Sequence, residues 1–285
     1  MMISVVTICF NEEKSLAATM GSVLSQTYDD FEYIIKDGGS TDRTLEIAEG
    51  FRQGFDERKI PFRIISGKDS GLYDAMNIAA EAASGSFVVF MNSGDLFFDC
   101  DVLKNIFEGR DFAGTDLIYG DAVEVEFGEY YFFKKCPELI EERMPFSHQT
   151  VFASKSLLTE IPFDTDLKIT ADYDFLLRAK KAGKVFKDSN VVTALISKEG
   201  VSTVRLKDTY LESIRVRKRN GIDQPSDDEI KKALRFVSLK QFGMDHFPHW
   251  LKFCIRKVQR LLRKQKKLDV VQTRRGYELV KEKTP

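Results

Sequence analysis

Val88-Val89-Phe90-Met91-Asn92-Ser93-Gly94-Asp95-Leu96-Phe97-Phe98-Asp99-Cys100 is the stretch whose reading decides the fold. Val88 to Met91 is a short apolar run, which suits a strand buried on both faces of a parallel sheet. It ends at Asn92-Ser93-Gly94-Asp95, four residues that favour turns and tolerate unusual backbone angles. In an open α/β sheet, ligands sit just beyond the carboxyl ends of the strands. Asp95 therefore has two readings: a carboxylate placed to hold a hard divalent cation, or a cap for a helix over Val102 to Phe107.

Working outward, the same strand-then-polar-loop unit recurs. Ile3 to Phe10 is β-branched and apolar, and ends in Asn11-Glu12-Glu13-Lys14. Ser15 then opens a helix carrying Leu16, Met20, Val23 and Leu24 at helical spacing. Phe31 to Ile35 makes a second strand that runs into Lys36-Asp37-Gly38-Gly39-Ser40-Thr41-Asp42, followed by a helix over Thr44 to Arg52. Pro61 to Ile65 is a third strand, with Ser66-Gly67-Lys68-Asp69-Ser70-Gly71 at its end and a helix from Leu72 to Ala83. This alternation predicts a doubly wound α/β sheet with its polar loops converging on one crevice. No glycine-rich dinucleotide or Walker fingerprint is present, which disfavours NAD enzymes and P-loop ATPases.

The second half changes character. Asp116 to Tyr119, Ala122 to Phe127 and Tyr130 to Phe133 read as strands, the last two as a hairpin. His148 stands alone at the start of a short strand in Phe146 to Phe152. Thr170-Ala171-Asp172-Tyr173-Asp174 opens a helix, with Thr170 as cap and two carboxylates near the positive end of the dipole. Glu199-Gly200-Val201-Ser202 reads as the turn that closes this region. Helices are expected over Leu206 to Arg219, Asp227 to Phe242 and Phe247 to Leu268, separated by Gly221, Pro225 and Pro248. The resulting division is a catalytic domain over 1–205 and a helical extension over 206–285.

The chain has 285 residues, a net charge of -1 and 43% hydrophobic content, which describes an ordinary globular protein with a full core. Four scattered cysteines fit neither a zinc cluster nor a disulfide scaffold and point to a reducing compartment. Neither a signal peptide nor a run of roughly 18 apolar residues is found, so a cytoplasmic location is expected. From Phe247 to Lys267 there are eight Lys and Arg and no acidic residue. Leu251, Cys254, Ile255, Val258, Leu261, Leu262 and Gln265 form a stripe at helical spacing, opposite Lys252, Arg256, Lys257, Arg260, Arg263, Lys264 and Lys267. That composition suits an interfacial helix on an anionic membrane surface, or a helix packed on the domain with a solvated basic face. Nucleic acid is not expected, because no stacking platform accompanies the charge.

Several blocks in order carry a family pattern. Val5 to Glu12, Ser22 to Tyr28, and Lys36-Asp37-Gly38-Gly39-Ser40-Thr41-Asp42 resemble family 2 glycosyltransferases. Asp69 to Asn77, Asn92 to Asp95, Ser147-His148-Gln149 and Ala171 to Asp174 resemble the branch that builds bacterial exopolysaccharides and colanic acid, over roughly residues 2–205. The resemblance implies a GT-A fold, a mostly parallel open sheet flanked by helices. It further implies a nucleotide-sugar donor, expected to be UDP-linked, a divalent metal (Mn2+ or Mg2+) and inversion at the anomeric centre. Thr7, Asn11 and Glu12 then bind the nucleotide, Asp37 faces the base, and Lys68, Asp69 and Asn77 close over the nucleotide and its phosphates. Asp95 matches the last carboxylate of the Asp-x-Asp metal motif, whose first carboxylate is replaced by Asn92 and Ser93. Gly38 replaces the second of a usual Asp pair. Asp172 matches the catalytic base.

An inverting transfer needs a base for the acceptor hydroxyl and a separate cation for the departing diphosphate. Asp172 is the expected base, Asp174 the alternative base or an orienter, and Asp95 the metal ligand. Asp172 also reads as a helix-N-terminal carboxylate worth about 0.3–1 kcal/mol. His148 is either a packed histidine or a substrate or phosphate contact. The expected acceptor is a lipid-linked sugar or growing glycan, reached from the inner face of the plasma membrane. Two other readings are a nucleotide-sugar-binding protein with little turnover and, further off, a nucleotidyltransferase on a similar fold.

Overall fold

The structure, a computed structural model, describes residues 1–197, 204–262 and 267–279. Strands β1 (Ile3–Cys9), β2 (Phe31–Asp37), β3 (Phe62–Ser66) and β4 (Phe87–Phe90) form a parallel block in the order β3-β2-β1-β4. Helices α1 (Leu16–Leu24), α2 (Thr44–Gly50), α3 (Arg52–Glu57) and α4 (Leu72–Ala82) lie on the connections. Alternate residues of the buried strands feed opposite faces. Ile3, Val5 and Val89 pack with Leu16, Met20 and Val23 of α1, whereas Val6, Ile8, Val88 and Phe90 pack with Met76 and Ala79 of α4. Gly85 admits the chain into β4 beside β1: a Cβ there would lie 2.5 Å from the Ser4 amide nitrogen.

Next in the chain come β5 (Leu96–Phe97), α5 (Val102–Phe107), β6 (Leu117–Glu126), β7 (Glu129–Phe133), β8 (Val151–Ser154), α6 (Lys155–Glu160), α7 (Ala171–Lys181) and β9 (Phe186–Ser197). β8 runs antiparallel to β4, and β6 antiparallel to β8, so the sheet is mixed beyond its parallel block. The two strands expected over Asp116 to Phe127 are one, with a register shift around Asp121 where it pairs with β9. Most of β9 escapes the hydrophobic pattern, because Lys187-Asp188-Ser189-Asn190 interrupts the apolar residues that mark a strand.

After residue 204 the helices are α8 (Leu206–Arg219), α9 (Asp227–His246) and α10 (His249–Leu262). A capping box at Ser226 and Glu229 starts α9. The helix expected to run to Leu268 is described over His249–Leu262, and Lys267 and Leu268 are not part of it. Instead β10 (Lys267–Leu268) adds to the edge of β7, and β11 (Val270–Thr273) with β12 (Gly276–Leu279) forms a hairpin. That hairpin grips the segment after β5, through Cys100 N–H to Arg275 O and Tyr277 N–H to Phe98 O, both at 2.8 Å. The extension is therefore not wholly helical. Val270-Val271-Gln272-Thr273, with the turn at Arg274 to Gly276, is the β-forming signal the helical reading passed over.

α10 packs on the β6–β7 hairpin. Arg256 pairs with Glu126 at 3.1 Å, and the Arg260 guanidinium lies 3.4 Å from the centroid of the Tyr131 ring. Both arginines, assigned from periodicity to an outward basic face, are turned to the domain. The turn at Glu199 to Ser202, and Arg263, Lys264 and Gln265 of the expected stripe, lie outside the described residues. No helix among the described residues is long and apolar enough to cross a membrane.

Candidate active site

The Asn92–Asp95 loop leaves β4 at its carboxyl end, as a buried parallel strand requires. Asp95 is 9% exposed, and its Oδ2 accepts a 2.7 Å hydrogen bond from Gln149 Nε2. Thr19 of α1 donates to the Asp95 carbonyl at 2.9 Å, which fixes the loop against the helix after β1. Burial pushes the Asp95 carboxyl above its usual range, and the Gln149 hydrogen bond and His148 offset this only in part. No Lys or Arg pairs with Asp95 among the described residues. Asp95 does not cap α5, whose N-cap residue is Asp101.

The single-turn helix His148–Thr150 ties this loop to a second carboxylate. Gln149 grips Asp95, while His148 Nδ1 lies 3.5 Å from Asp172 Oδ2. On its other side, His148 Nε2 is 3.2 Å from Asn92 Nδ2. If the Asn92 amide donates to Nε2, the ring proton sits on Nδ1 and points at Asp172. The Asn92 Oδ1 is then buried with no hydrogen-bond partner among the described residues. His148 is thus a link between the two loops, and Gln149, quoted in the sequence motif but not assigned a role, proves to hold Asp95.

Asp172 and Asp174 part company completely. Asp172 is 19% exposed at the amino end of α7, with Phe90, Phe163 and Phe175 among the side chains lining the cavity beside it. Its Oδ1 accepts from the Tyr173 amide at 2.8 Å and lies 3.3 Å from the Tyr73 hydroxyl, which donates to Ile169 O. Burial raises its carboxyl above the usual range, with His148 and the Tyr173 amide opposing. Asp174 is 0% exposed and accepts from Arg178 at 2.6 Å, Arg219 at 2.8 Å and Asn220 at 2.9 Å. Burial opposes its charge too, yet these donors outweigh burial and hold its carboxyl below the usual range. This corrects its assignment as a second catalytic carboxylate: it is an internal ion partner of α8. Thr170 is the N-cap residue of α7, as expected, but its hydroxyl makes no cap hydrogen bond and turns to Glu212 instead. Glu212 of α8 accepts from the amides of Lys168, Ile169 and Thr170 at 2.9, 2.7 and 2.7 Å, and from the Thr170 hydroxyl at 3.0 Å.

The loops after β1, β2 and β3 meet beside Asp95. Asn11 is exposed with φ 55°, and its Oδ1 accepts from the Thr41 amide at 2.9 Å. Glu12 accepts from the Ser15 hydroxyl, and Ser15 reaches Ser93 at 3.0 Å, so the first loop touches the Asn92–Asp95 loop. Lys36 is the residue that the sequence did not single out. Almost fully buried, it donates to Asp37 O and Gly67 O, each at 2.8 Å, and pairs with Asp69 Oδ2 at 2.7 Å. Gly38 follows from this pair: a Cβ there would lie 3.3 Å from Asp69 Oδ2 and from the Phe10 ring. Lys68 is exposed on the same crevice wall.

Three expected nucleotide contacts are corrected. Thr7 is fully buried and its hydroxyl donates to Met91 O at 2.7 Å, tying β1 to the end of β4. Asp37 is likewise fully buried and shapes its own loop, accepting from Gly39 N–H at 3.0 Å and Ser66 Oγ at 2.7 Å. Burial opposes its charge, but bonds from Ser40, Ser66 and the loop amides hold its carboxyl low. Asn77 bridges to the Phe163 backbone through both amide atoms, at 2.8 and 2.9 Å, which leaves neither turned to a ligand.

This protein is a glycosyltransferase. The family model for glycosyl transferase family 2 matches residues 4–163, more than half of the chain, and the chain belongs to that family. A PGL/p-HBAD biosynthesis glycosyltransferase of Mycobacterium bovis is 30% identical over 230 residues, 78% of this chain and 87% of the relative. An uncharacterized glycosyltransferase of Mycobacterium tuberculosis is 32% identical over 184 residues, 62% of this chain and 68% of the relative. Among solved structures, S. aureus TarS in complex with UDP-GlcNAc superposes with a TM-score of 0.60 at 21% identity, over 82% of this chain and 70% of that one. A mannosyltransferase from Pyrobaculum calidifontis, in complex with GDP-Man and Mn2+, gives 0.61 at 15% identity, over 91% and 79%. The open sheet flanked by helices is thus of the expected GT-A type.

Proposed function

We propose that the protein moves a sugar from a nucleoside diphosphate sugar, UDP-linked, to a hydroxyl of a lipid-linked or growing glycan, with inversion. The observation that carries this reading is the His148–Gln149 step, which holds two largely buried carboxylates, Asp95 and Asp172, across one crevice. The acceptor oxygen attacks the anomeric carbon, the bond from that carbon to the diphosphate oxygen breaks, and the diphosphate leaves with the electron pair. Asp172 takes the acceptor proton; its raised carboxyl range makes it a better base than an exposed aspartate. Tyr73 and the Tyr173 amide orient it, and His148 keeps it facing the crevice.

The setting of Asp95 fits a divalent cation, Mn2+ or Mg2+. A buried carboxylate with no basic partner among the described residues favours a counter-charge, and Asn92 supplies, in the same loop, an oxygen that has no partner among them. Among the described residues no group of three metal-ligating side chains exists, so the donor's phosphates and water complete any such site. When bound, the ion supplies neutralisation of the leaving diphosphate. Asn11, Glu12, Lys68 and Asp69 form the wall for the nucleotide. The complex-forming ligands of the similar structures, UDP-GlcNAc and GDP-Man with Mn2+, support a nucleotide-sugar donor. The same reading gives exopolysaccharide assembly at the inner face of the plasma membrane as the setting.

Thermal shift across a nucleotide-sugar panel with Mn2+ identifies the donor, and slow donor hydrolysis lost in Asp95→Ala supports turnover. The replacement of the first metal carboxylate by Asn92 and Ser93 favours a second reading, a nucleotide-sugar-binding protein without turnover. Donor-induced stabilisation with no hydrolysis or transfer selects it.

A further inference from the structure

The outer face of α9 carries an apolar patch that nothing in the chain covers among the described residues. Phe236, Leu239 and Phe242 are 63%, 71% and 55% exposed, and Trp250, just beyond the helix end, is 66% exposed. At 100° per residue the first three share one side of the helix. The other side, with Ala233, Leu234, Val237 and Gln241, is partly buried and faces α8, where Gln241 accepts from the Leu206 amide at 3.0 Å. Isolated exposed apolar residues need no explanation, whereas large ones grouped on one face mark an interaction surface.

The charge beside the patch selects the partner. Lys231, Lys232 and Arg235 are exposed on the same side of α9, with two acidic residues near them: Asp228, 3.7 Å from Lys231, and Glu229, whose carboxylate feels Lys232 but is held by the Ser226 cap. A second copy docking by the same face would set these basic rims against one another. Phosphate headgroups would neutralise them, with aromatic and aliphatic tips entering the headgroup–acyl boundary. We propose that the outer face of α9 docks the protein on an anionic lipid surface. This moves the membrane contact from the α10 stripe to α9, since Arg256 and Arg260 of α10 are engaged with Glu126. The purpose of such docking rests on the membrane-borne acceptor proposed above. The path from patch to crevice is short: α9 packs on α8, and α8 holds the backbone before Asp172 through Glu212.

The test is sedimentation of the full chain with vesicles of phosphatidylcholine alone and of phosphatidylcholine with phosphatidylglycerol. The intact protein sediments with the anionic vesicles and is released in part by salt. Reversing the rim (Lys231→Glu, Lys232→Glu, Arg235→Glu) lowers that affinity by roughly a hundredfold. Replacing Phe236, Leu239 and Phe242 by Ser lowers it by about tenfold or more per side chain. Unchanged donor-induced thermal shift in both variants shows that they remain folded. Failure of the intact protein to sediment, or sedimentation unchanged in both variants, overturns the proposal. A concentration-dependent dimer lost in the Ser variant also overturns it, because a second copy then covers the face. Sedimentation without donor hydrolysis sinks the transferase reading and leaves this one standing.

Discussion

Asp172→Asn and Asp174→Asn are two isosteric substitutions two residues apart, and the structure predicts opposite outcomes. Asp172 is held above its usual range, so its neutral form is favoured by folding. Its contribution to stability is full below the unfolded value of about 3.9 and is lost as pH rises through the higher folded value. Asparagine is neutral at every pH, so Asp172→Asn should gain on the wild type in melting temperature as pH rises through that window. Its transfer rate should fall by about 10²–10⁴, the usual cost of losing a general base, while donor binding survives. Asp174 is the reverse: its carboxyl is held low, so its contribution is present above about 3.9 and lost as pH falls through the lowered folded value. Removing its charge leaves Arg178 and Arg219 without their shared buried partner, each 2.6 Å away. Breaking such a cluster costs about 3 kcal/mol, the low end of the range because both arginines reach solvent. Denaturant unfolding from acid to neutral pH, together with transfer assays on the folded fraction, reads both effects. Normal transfer by Asp172→Asn, or a destabilised Asp172→Asn beside an unaffected Asp174→Asn, would refute the assignment.

Glu212→Ala should leave three amides and the Thr170 hydroxyl without their acceptor, costing about 2–3 kcal/mol in urea unfolding. Because Glu212 positions the Asp172 loop and touches no proposed donor contact, kcat should fall with the donor KM little changed; a pure KM effect counts against this. Mn2+ should bind weakly to the protein alone and tightly with UDP present, and calorimetry finding micromolar affinity without nucleotide, indifferent to Asp95→Ala, contradicts it. Lys36→Met should strand Asp69 and two carbonyls, costing about 3–5 kcal/mol, and a variant as stable as the wild type would show that the pair is dispensable. Deleting residues 267–285 removes the edge strand and the hairpin gripping Phe98 and Cys100, so the melting temperature should drop; an unshifted melt marks the hairpin as an ornament.

The parallel block was legible because buried strands and their connecting helices announce themselves locally. Val88 to Phe90, with Gly85 before and Asn92 to Asp95 after, carries period, punctuation and polarity in one short stretch. The loops at the strand ends were legible for the same reason, and with them the neighbourhood of Asp95, His148 and Asp172. The direction in which a side chain leaves that neighbourhood is a tertiary matter. Thr7, Asp37 and Asn77 sit in the right segments, yet each is spent on atoms that only folding brings within reach: the Met91 carbonyl, the Ser66 hydroxyl and the Phe163 backbone. Lys36 was passed over because its partners, Gly67 and Asp69, lie on another loop.

Part of what was missed was nevertheless available from helix geometry. Residues i and i+2 project about 200° apart on an α-helix, so once Asp172 and Asp174 are placed on α7 they cannot both address one crevice. One must face inward, and a carboxylate facing inward needs cations. The helix that supplies them also shows its spacing: Glu212 and Arg219 on α8 are seven residues apart and share a face. That face meets α7 with an acceptor for the amides before Asp172 and a donor for Asp174. What sequence spacing does not reveal is which distant helix meets that face, since the match is made by packing. The extension after residue 205 thereby shapes the candidate site: α8 buries Asp174 against Arg219 and Asn220 and holds the backbone that leads to Asp172.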